Sequence, residues 1–208
     1  MPARSASRRT KPAEERREDL IAAAAHLFQI NGIEPTTVEQ ITAEAGVAKG
    51  TFYLYFSSKD DVVNALRDQF VHIVLGGINS GLKGKRKEDW DGKLAGWVLG
   101  CTKAYLDAAR LHDIIFSEGP PPSRTGLSNN PIVDQLTGLL AGGDAAGAWT
   151  VKNPRFTAIF LFNALHGVVN DAKASSAPNR TVLVRQMREL FARTVSTRVQ
   201  QHRVPDQP

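Results

Sequence analysis

Apolar residues recur along this chain at helical spacing, and no alternating apolar and polar run exceeds four residues. Over 13–31, Leu20, Ala24, Leu27 and Phe28 share one face, and Gly32 stands as a stop. Val38, Ile41 and Ala45 follow at i, i+3 and i+7 and predict a short helix, capped by Thr36 or Thr37 with Glu39 or Gln40 three residues on. Gly46 ends that helix. In the next short helix Val47, Phe52 and Phe56 turn inward and leave Lys49, Gly50, Thr51, Tyr53 and Tyr55 outside. Ser57 or Ser58 then opens a longer helix whose apolar face (Val62, Val63, Leu66, Phe70, Ile73, Val74) is expected to end at Gly76-Gly77.

After a polar, basic break at 81–87, four further segments carry the helical period. Trp90, Leu94, Trp97, Val98, Cys101 and Tyr105 mark one that reaches about Arg110, with a short apolar piece from Leu111 to Phe116 behind it. GPPPSRTG at 119–126 is a loop by composition. Pro131 opens a helix with Ile132, Val133, Leu136, Leu139 and Leu140 that Gly142-Gly143 is expected to close. A helix over 154–171 is apolar around most of its circumference, and the last, about 181–199, sets Leu183, Met187, Leu190, Phe191 and Val195 to one side. The fold class predicted is all-α, and the 154–171 helix, apolar nearly all round, calls for cover on several sides, a second copy of the chain included.

Composition narrows the picture without changing it. With 208 residues, 42% hydrophobic and 23% charged, the chain has the makeup of an ordinary soluble protein with enough length for a real core. It has no apolar run long enough to span a membrane, and MPARSASRRTK lacks the apolar centre of a signal peptide. One cysteine, Cys101, excludes an intrachain disulfide and fits a reducing, cytoplasmic setting. The net charge of +5 is informative only through its placement: Arg4, Arg8, Arg9 and Lys11 crowd the N-terminus, and 45–59 carries Lys49 and Lys59 with no acid.

No catalytic constellation assembles. His26, His72, His112, His166 and His202 are scattered, with no metal-ligand spacing. GGDAAGAW at 142–149 lacks the strand and the Gly-Lys-Ser/Thr ending of a phosphate loop. Neither an enzymatic activity nor a cofactor or metal is expected.

Two small helices joined at a Gly-containing turn form a helix-turn-helix, whose second helix enters the major groove of DNA. The stretch Thr36–Lys59 resembles the DNA-binding domain of the tetracycline-repressor (TetR) family of bacterial regulators. The family pattern is met at Thr36, Thr37, Val38, Ile41, Ala45, Gly46, Val47, Gly50, Thr51, Phe52, Tyr53, Tyr55, Phe56 and Lys59. Thr42 departs from the usual alanine, and Ala48 stands where serine is common and cannot cap the second helix. By their chemistry, Lys49 reaches a guanine edge or a phosphate, Gly50 admits the DNA backbone, and Thr51 offers a hydroxyl and a methyl. Thr37, Tyr53, Tyr55 and Lys59 bind phosphates.

The resemblance implies a basic arm at 1–12, a helix-turn-helix domain at 13–60, a connecting helix at 61–80 and an effector-binding and dimerisation domain at 81–202. Trp97, Cys101, Tyr105, Trp149, Phe160, Asn163 and His166 are the candidate lining of an effector pocket. The family pairs its last two long helices into a four-helix dimer interface, which places Phe160, Leu183, Met187, Leu190 and Phe191 there. The expected function is sequence-specific transcriptional regulation: a homodimeric repressor on a palindromic DNA operator, released by a small-molecule effector. The alternative is a DNA-binding architectural factor governed by a protein partner.

Overall fold

The computed structural model describes residues 12–117, 130–174 and 179–196. Among them lie nine helices and no strand: α1 (Ala13–Asn31), α2 (Val38–Glu44), α3 (Lys49–Phe52), α4 (Lys59–Leu82), α5 (Trp90–Asp107), α6 (Ala109–Ser117), α7 (Pro131–Ala145), α8 (Pro154–Ala174) and α9 (Arg180–Val195). The all-α expectation holds. The N-terminal arm with Arg4, Arg8, Arg9 and Lys11, the loop at 119–126 and His202 lie outside the described residues.

The chain divides into two compact units, and the division differs from the sequence reading. One unit takes the chain up to Phe70 together with the segment that starts at Arg110; the other takes Val71–Ala109 and the chain from Pro122 onward. α4 thus contributes to both. The segment from Arg110 joins the first unit through an aromatic cluster: His112 is buried, with its ring 5.5 Å from Phe70 and 4.7 Å from Phe116. A boundary at 80/81 therefore leaves out α6, which hydrophobic contacts assign to the helix-turn-helix side.

In the first unit, α1 buries Leu20, Ala23, Ala24 and Phe28 and packs on α2, which in turn packs on α3. In the second, α5 is the central helix. It packs on α7, α8 and α9, and Trp97, fully buried, stacks on Phe191 of α9 at 6.1 Å between ring centroids. Side-chain caps set several starts: Asp89 accepts from Gly92 N–H at 2.9 Å, Asn130 from Ile132 and Val133, and Asn179 from Val182.

Two pairs of glycines read as stops lie inside helices, and Gly77, Gly142 and Gly143 among them are packing positions. α4 runs through Gly76-Gly77 and Gly81 to Leu82, antiparallel to α5, because the two backbones touch where neither has a Cβ. A Cβ on Gly81 would stand 2.1 Å from the Gly96 carbonyl oxygen, and one on Gly100 2.3 Å from that of Gly77. Likewise α7 continues past Gly142 and Gly143 to Ala145, because the rings of Trp90 and Trp149 fill the space where side chains would be.

Candidate functional site

The site is built on α2, α3 and the turns around them. Thr37 resolves the choice of cap: its hydroxyl accepts from Gln40 N–H at 3.2 Å, while the Gln40 side chain accepts from Thr37 N–H at 2.8 Å. Thr36 is buried and donates its hydroxyl to Gly32 O at 2.7 Å instead. At the other end Gly46 adopts φ +67°, Gly46 N–H donates to Ala43 O, and Val47 N–H donates to Thr42 O at 2.9 Å. That pair of bonds is a Schellman stop, and it turns the chain sharply into α3. Thr42, fully enclosed, spends its hydroxyl on Val38 O at 3.0 Å, so the departure from alanine adds no unsatisfied polar group.

α3 begins at Lys49 after Ala48, whose side chain gives no cap, as its chemistry requires. Phe52 is fully buried and Phe56 nearly so, their rings 5.7 Å apart. Val47 is half-buried. With those residues as its inner face, α3 presents Lys49, Gly50 and Tyr53 outward, with Thr51 and Tyr55 half-buried at its edge. A Cβ on Gly50 would meet nothing within 4 Å, so the protein's own packing does not require glycine there.

The two cations of this edge are both engaged. Lys59 donates from Nζ to Ile33 O at 2.8 Å and to Glu34 O at 2.9 Å, which ties the α1–α2 connection to the start of α4. Two of its three protons are spent on the fold, a brace that the reading of Lys59 as a phosphate contact did not include. Lys49 Nζ lies 2.5 Å from Glu39 Oε1 of α2. The bond to Glu39 holds the Lys49 ammonium above its ordinary pKa, and the same bond holds the Glu39 carboxyl below its own. Neither partnership has a sequence signal, since each joins residues ten or more positions apart on different elements.

The seven candidate pocket residues do not form one lining. Trp97, Cys101 and Tyr105 lie buried along one face of α5, and burial pushes the Cys101 thiol and the Tyr105 phenol far up. His166 joins Tyr105 and Phe162 in a ring cluster, with His166 5.7 Å from Tyr105, and burial followed by the Lys173 charge lowers its pKa. Trp149 sits apart, edge-on to Trp90, and donates its indole N–H to Leu140 O at 2.8 Å. Phe160 is 57% exposed, and Asn163, also exposed, returns its amide to Ile159 O. These last two point away from the core and do not fit a buried pocket. Two buried polar atoms of α5 are more telling: Nε1 of Trp97, which the pattern singled out, and Oγ1 of Thr102, which it did not, have no hydrogen-bond partner.

The dimer candidates split in the same manner. Leu183, Met187 and Phe191 face α5 of their own chain and are buried, so they belong to the subunit core. Phe160 and Leu190, 57% and 55% exposed, lie on the open faces of α8 and α9, with Phe156 and Val168 beside Phe160 along α8. Among the described residues no three His, Cys, Asp or Glu side chains group as metal ligands, and no helix is long and apolar enough to cross a membrane.

Residues 20–66 match the profile described as bacterial regulatory proteins, tetR family. The HTH-type transcriptional regulator HbdR of an Aromatoleum strain is 47% identical over 53 residues, 26% of this chain and 23% of that protein. The matched stretch is thus about a quarter of this chain and less than a quarter of that regulator's length. Among solved structures, the fatty acid degradation regulator FadR from Bacillus halodurans superposes with a TM-score of 0.69 at 25% identity, over 88% of this chain and 96% of that one. A complex of SmeT with triclosan superposes with a TM-score of 0.67 at 18% identity, over 86% of this chain and 91% of that one.

Proposed function

The chain belongs to the tetR family of bacterial regulatory proteins and carries its helix-turn-helix DNA-binding domain, and from that premise we propose a homodimeric repressor that leaves a palindromic operator when a small molecule binds. The observation that carries the DNA half of this reading is Gly50. It stands on the outer face of α3 with open space where a side chain would be, so what excludes a side chain there is the incoming duplex rather than the protein. Lys49 and Thr51 beside it reach the base edges, and Tyr53 and Tyr55 give hydroxyls to phosphates, which fix register. Thr37 accepts a bond from Gln40, and its hydroxyl proton, shared with the Glu39 carboxylate, turns to a phosphate. Lys59 braces this surface and retains one proton for the same purpose.

The effector half draws on the second unit. A buried N–H without an acceptor costs about 1–3 kcal/mol, so the unpartnered Trp97 Nε1, in apolar surroundings, favours a guest that is mostly apolar and bears an acceptor. The solved relatives named for fatty acid degradation and for a triclosan complex fit that description of a guest. The exposed apolar residues of α8 and α9 are the surface for the second copy, and a cytoplasmic location follows from work on DNA. The test is selection of a duplex from a random library by the full-length protein, followed by binding at graded salt. An inverted repeat with affinity far above that for random duplex is expected. Recovery of no sequence above background would overturn the reading.

A further inference from the structure

Lys49 stands at the exposed start of α3, and the mobile positive charge of this edge is its own, since Lys59 gives two protons to the carbonyls of Ile33 and Glu34. Yet Lys49 is not free. Its ammonium is 2.5 Å from the Glu39 carboxylate, and the two side chains are 55% and 60% exposed. An ion pair so exposed opens at little cost. Glu39 is also not needed where it is for helix α2, whose capping box uses Thr37 and Gln40. The mutual pKa displacements, Glu39 down and Lys49 up, mean both groups are charged at neutral pH.

We propose that Glu39 is a specificity-determining residue of the DNA interface: its carboxylate occupies Lys49 as an internal stand-in for phosphate and so suppresses sequence-independent binding. This rests on the reading of the chain as a DNA-binding regulator. On random duplex Lys49 can exchange Glu39 only for another anion. A cation already neutralised inside the protein adds no net positive charge to the interface, and hence drives no counterion release. The carboxylate set free would also face the phosphate backbone. At the right site the exchange differs, because guanine O6 and N7 offer Lys49 acceptors that a phosphate-only register does not. Opening the pair is then compensated only where the sequence is correct.

Glu39→Gln keeps the shape and removes the charge. It releases Lys49 to act as one additional cationic contact, which steepens the salt dependence of random-duplex affinity by about 0.9 and tightens it about eightfold near 0.1 M salt. Affinity for the selected inverted repeat changes less, so the ratio of specific to random binding falls severalfold. The measurement is fluorescence anisotropy on a labelled random duplex and on the selected duplex, between about 50 and 200 mM salt, with wild type, Glu39→Gln, Lys49→Ala and the double variant. In the Lys49→Ala background, Glu39→Gln is expected to change random-duplex affinity by less than about twofold, since no lysine remains to release. An unchanged slope for Glu39→Gln overturns the proposal. So does an equal gain in the Lys49→Ala background, which would make Glu39 a simple repulsive charge, or a larger loss on the selected duplex than on random DNA, which would make it a support for Lys49. If wild type and every variant bind duplex without salt dependence, the failure is that of the DNA-binding reading itself. Circular dichroism melting confirms that Glu39→Gln is folded.

Discussion

Gly81→Ala tests the contact that sets α4 against α5. The new Cβ would lie 2.1 Å from Gly96 O and 3.0 Å from Gly96 C, both backbone atoms that no rotamer change can move away. An ordinary C···O contact needs about 3.3 Å, so the two helices must part by roughly 1 Å. Forcing an additional carbon into a packed interior costs about 1–3 kcal/mol, and a site flanked by backbone belongs in the upper half of that range. Alanine regains about 1 kcal/mol over glycine in a helix interior, which leaves a net loss of about 1–2 kcal/mol. For a chain of this size that lowers Tm by about 2–8 °C. Gly76→Ala is the control on the same helix: a Cβ there meets nothing within 4 Å, so only the propensity gain remains and Tm rises by a few degrees. Both are read by thermal melting at one fixed protein concentration, since self-association makes Tm depend on it. If Gly81→Ala melts at or above Gly76→Ala, the backbones do not approach as described.

Three other substitutions test the site. Gly50→Ala is expected to hold or raise Tm, having no neighbour to strike, while weakening duplex binding at least tenfold by anisotropy. Lys59→Ala removes two bonds to carbonyls of the α1–α2 connection and is expected to cost about 1–2 kcal/mol in urea unfolding, a loss that a residue serving only phosphates would not show. Thr37→Ala breaks both halves of the capping box and is expected to cost about 1 kcal/mol in the same assay.

What the sequence made legible was what local chemistry determines. The choice between Thr36 and Thr37 was already narrowed to two neighbours, and the Gly46 stop needs nothing beyond its own turn. The inward set of Phe52 and Phe56 follows from spacing alone. Glycines inside helices were misread because a glycine that ends a helix and one that admits a neighbouring backbone or ring look alike until the neighbour is known. Gly77, Gly142 and Gly143 are the second kind, while Gly76 lies on an open helix face. The same limit applies to Leu183, Met187, Leu190 and Phe191. Periodicity shows that they are apolar and on a helix, but which of them meet the chain's own α5 and which stay open is decided by a helix some ninety positions earlier. Partnerships such as Glu39 with Lys49 lie beyond periodicity for the same reason.

The open face of α8 carries a pattern that bears on how two copies would meet. Phe156 and Phe160 are bulky and exposed near its start, while Ala164 and Gly167, one to two turns later, are small and exposed. A twofold axis through the middle of such a helix runs the second copy antiparallel, which sets the large residues of each against the small ones of the other, as a self-complementary patch requires. Gly167→Leu discriminates this arrangement from a merely sticky surface. A Cβ at Gly167 meets nothing within 4 Å in its own subunit, so the fold tolerates the change, and a generic apolar patch would only grow stronger with an added leucine. In the antiparallel pairing the leucine instead occupies the space of the partner's phenylalanines, and the dimer weakens. Sedimentation velocity at micromolar concentration is expected to show a dimer for wild type and a shift toward monomer for both Gly167→Leu and Phe160→Glu. A Gly167→Leu protein that stays as dimeric as wild type, beside a monomeric Phe160→Glu, would place the partner's helix elsewhere on this face and refute the antiparallel pairing.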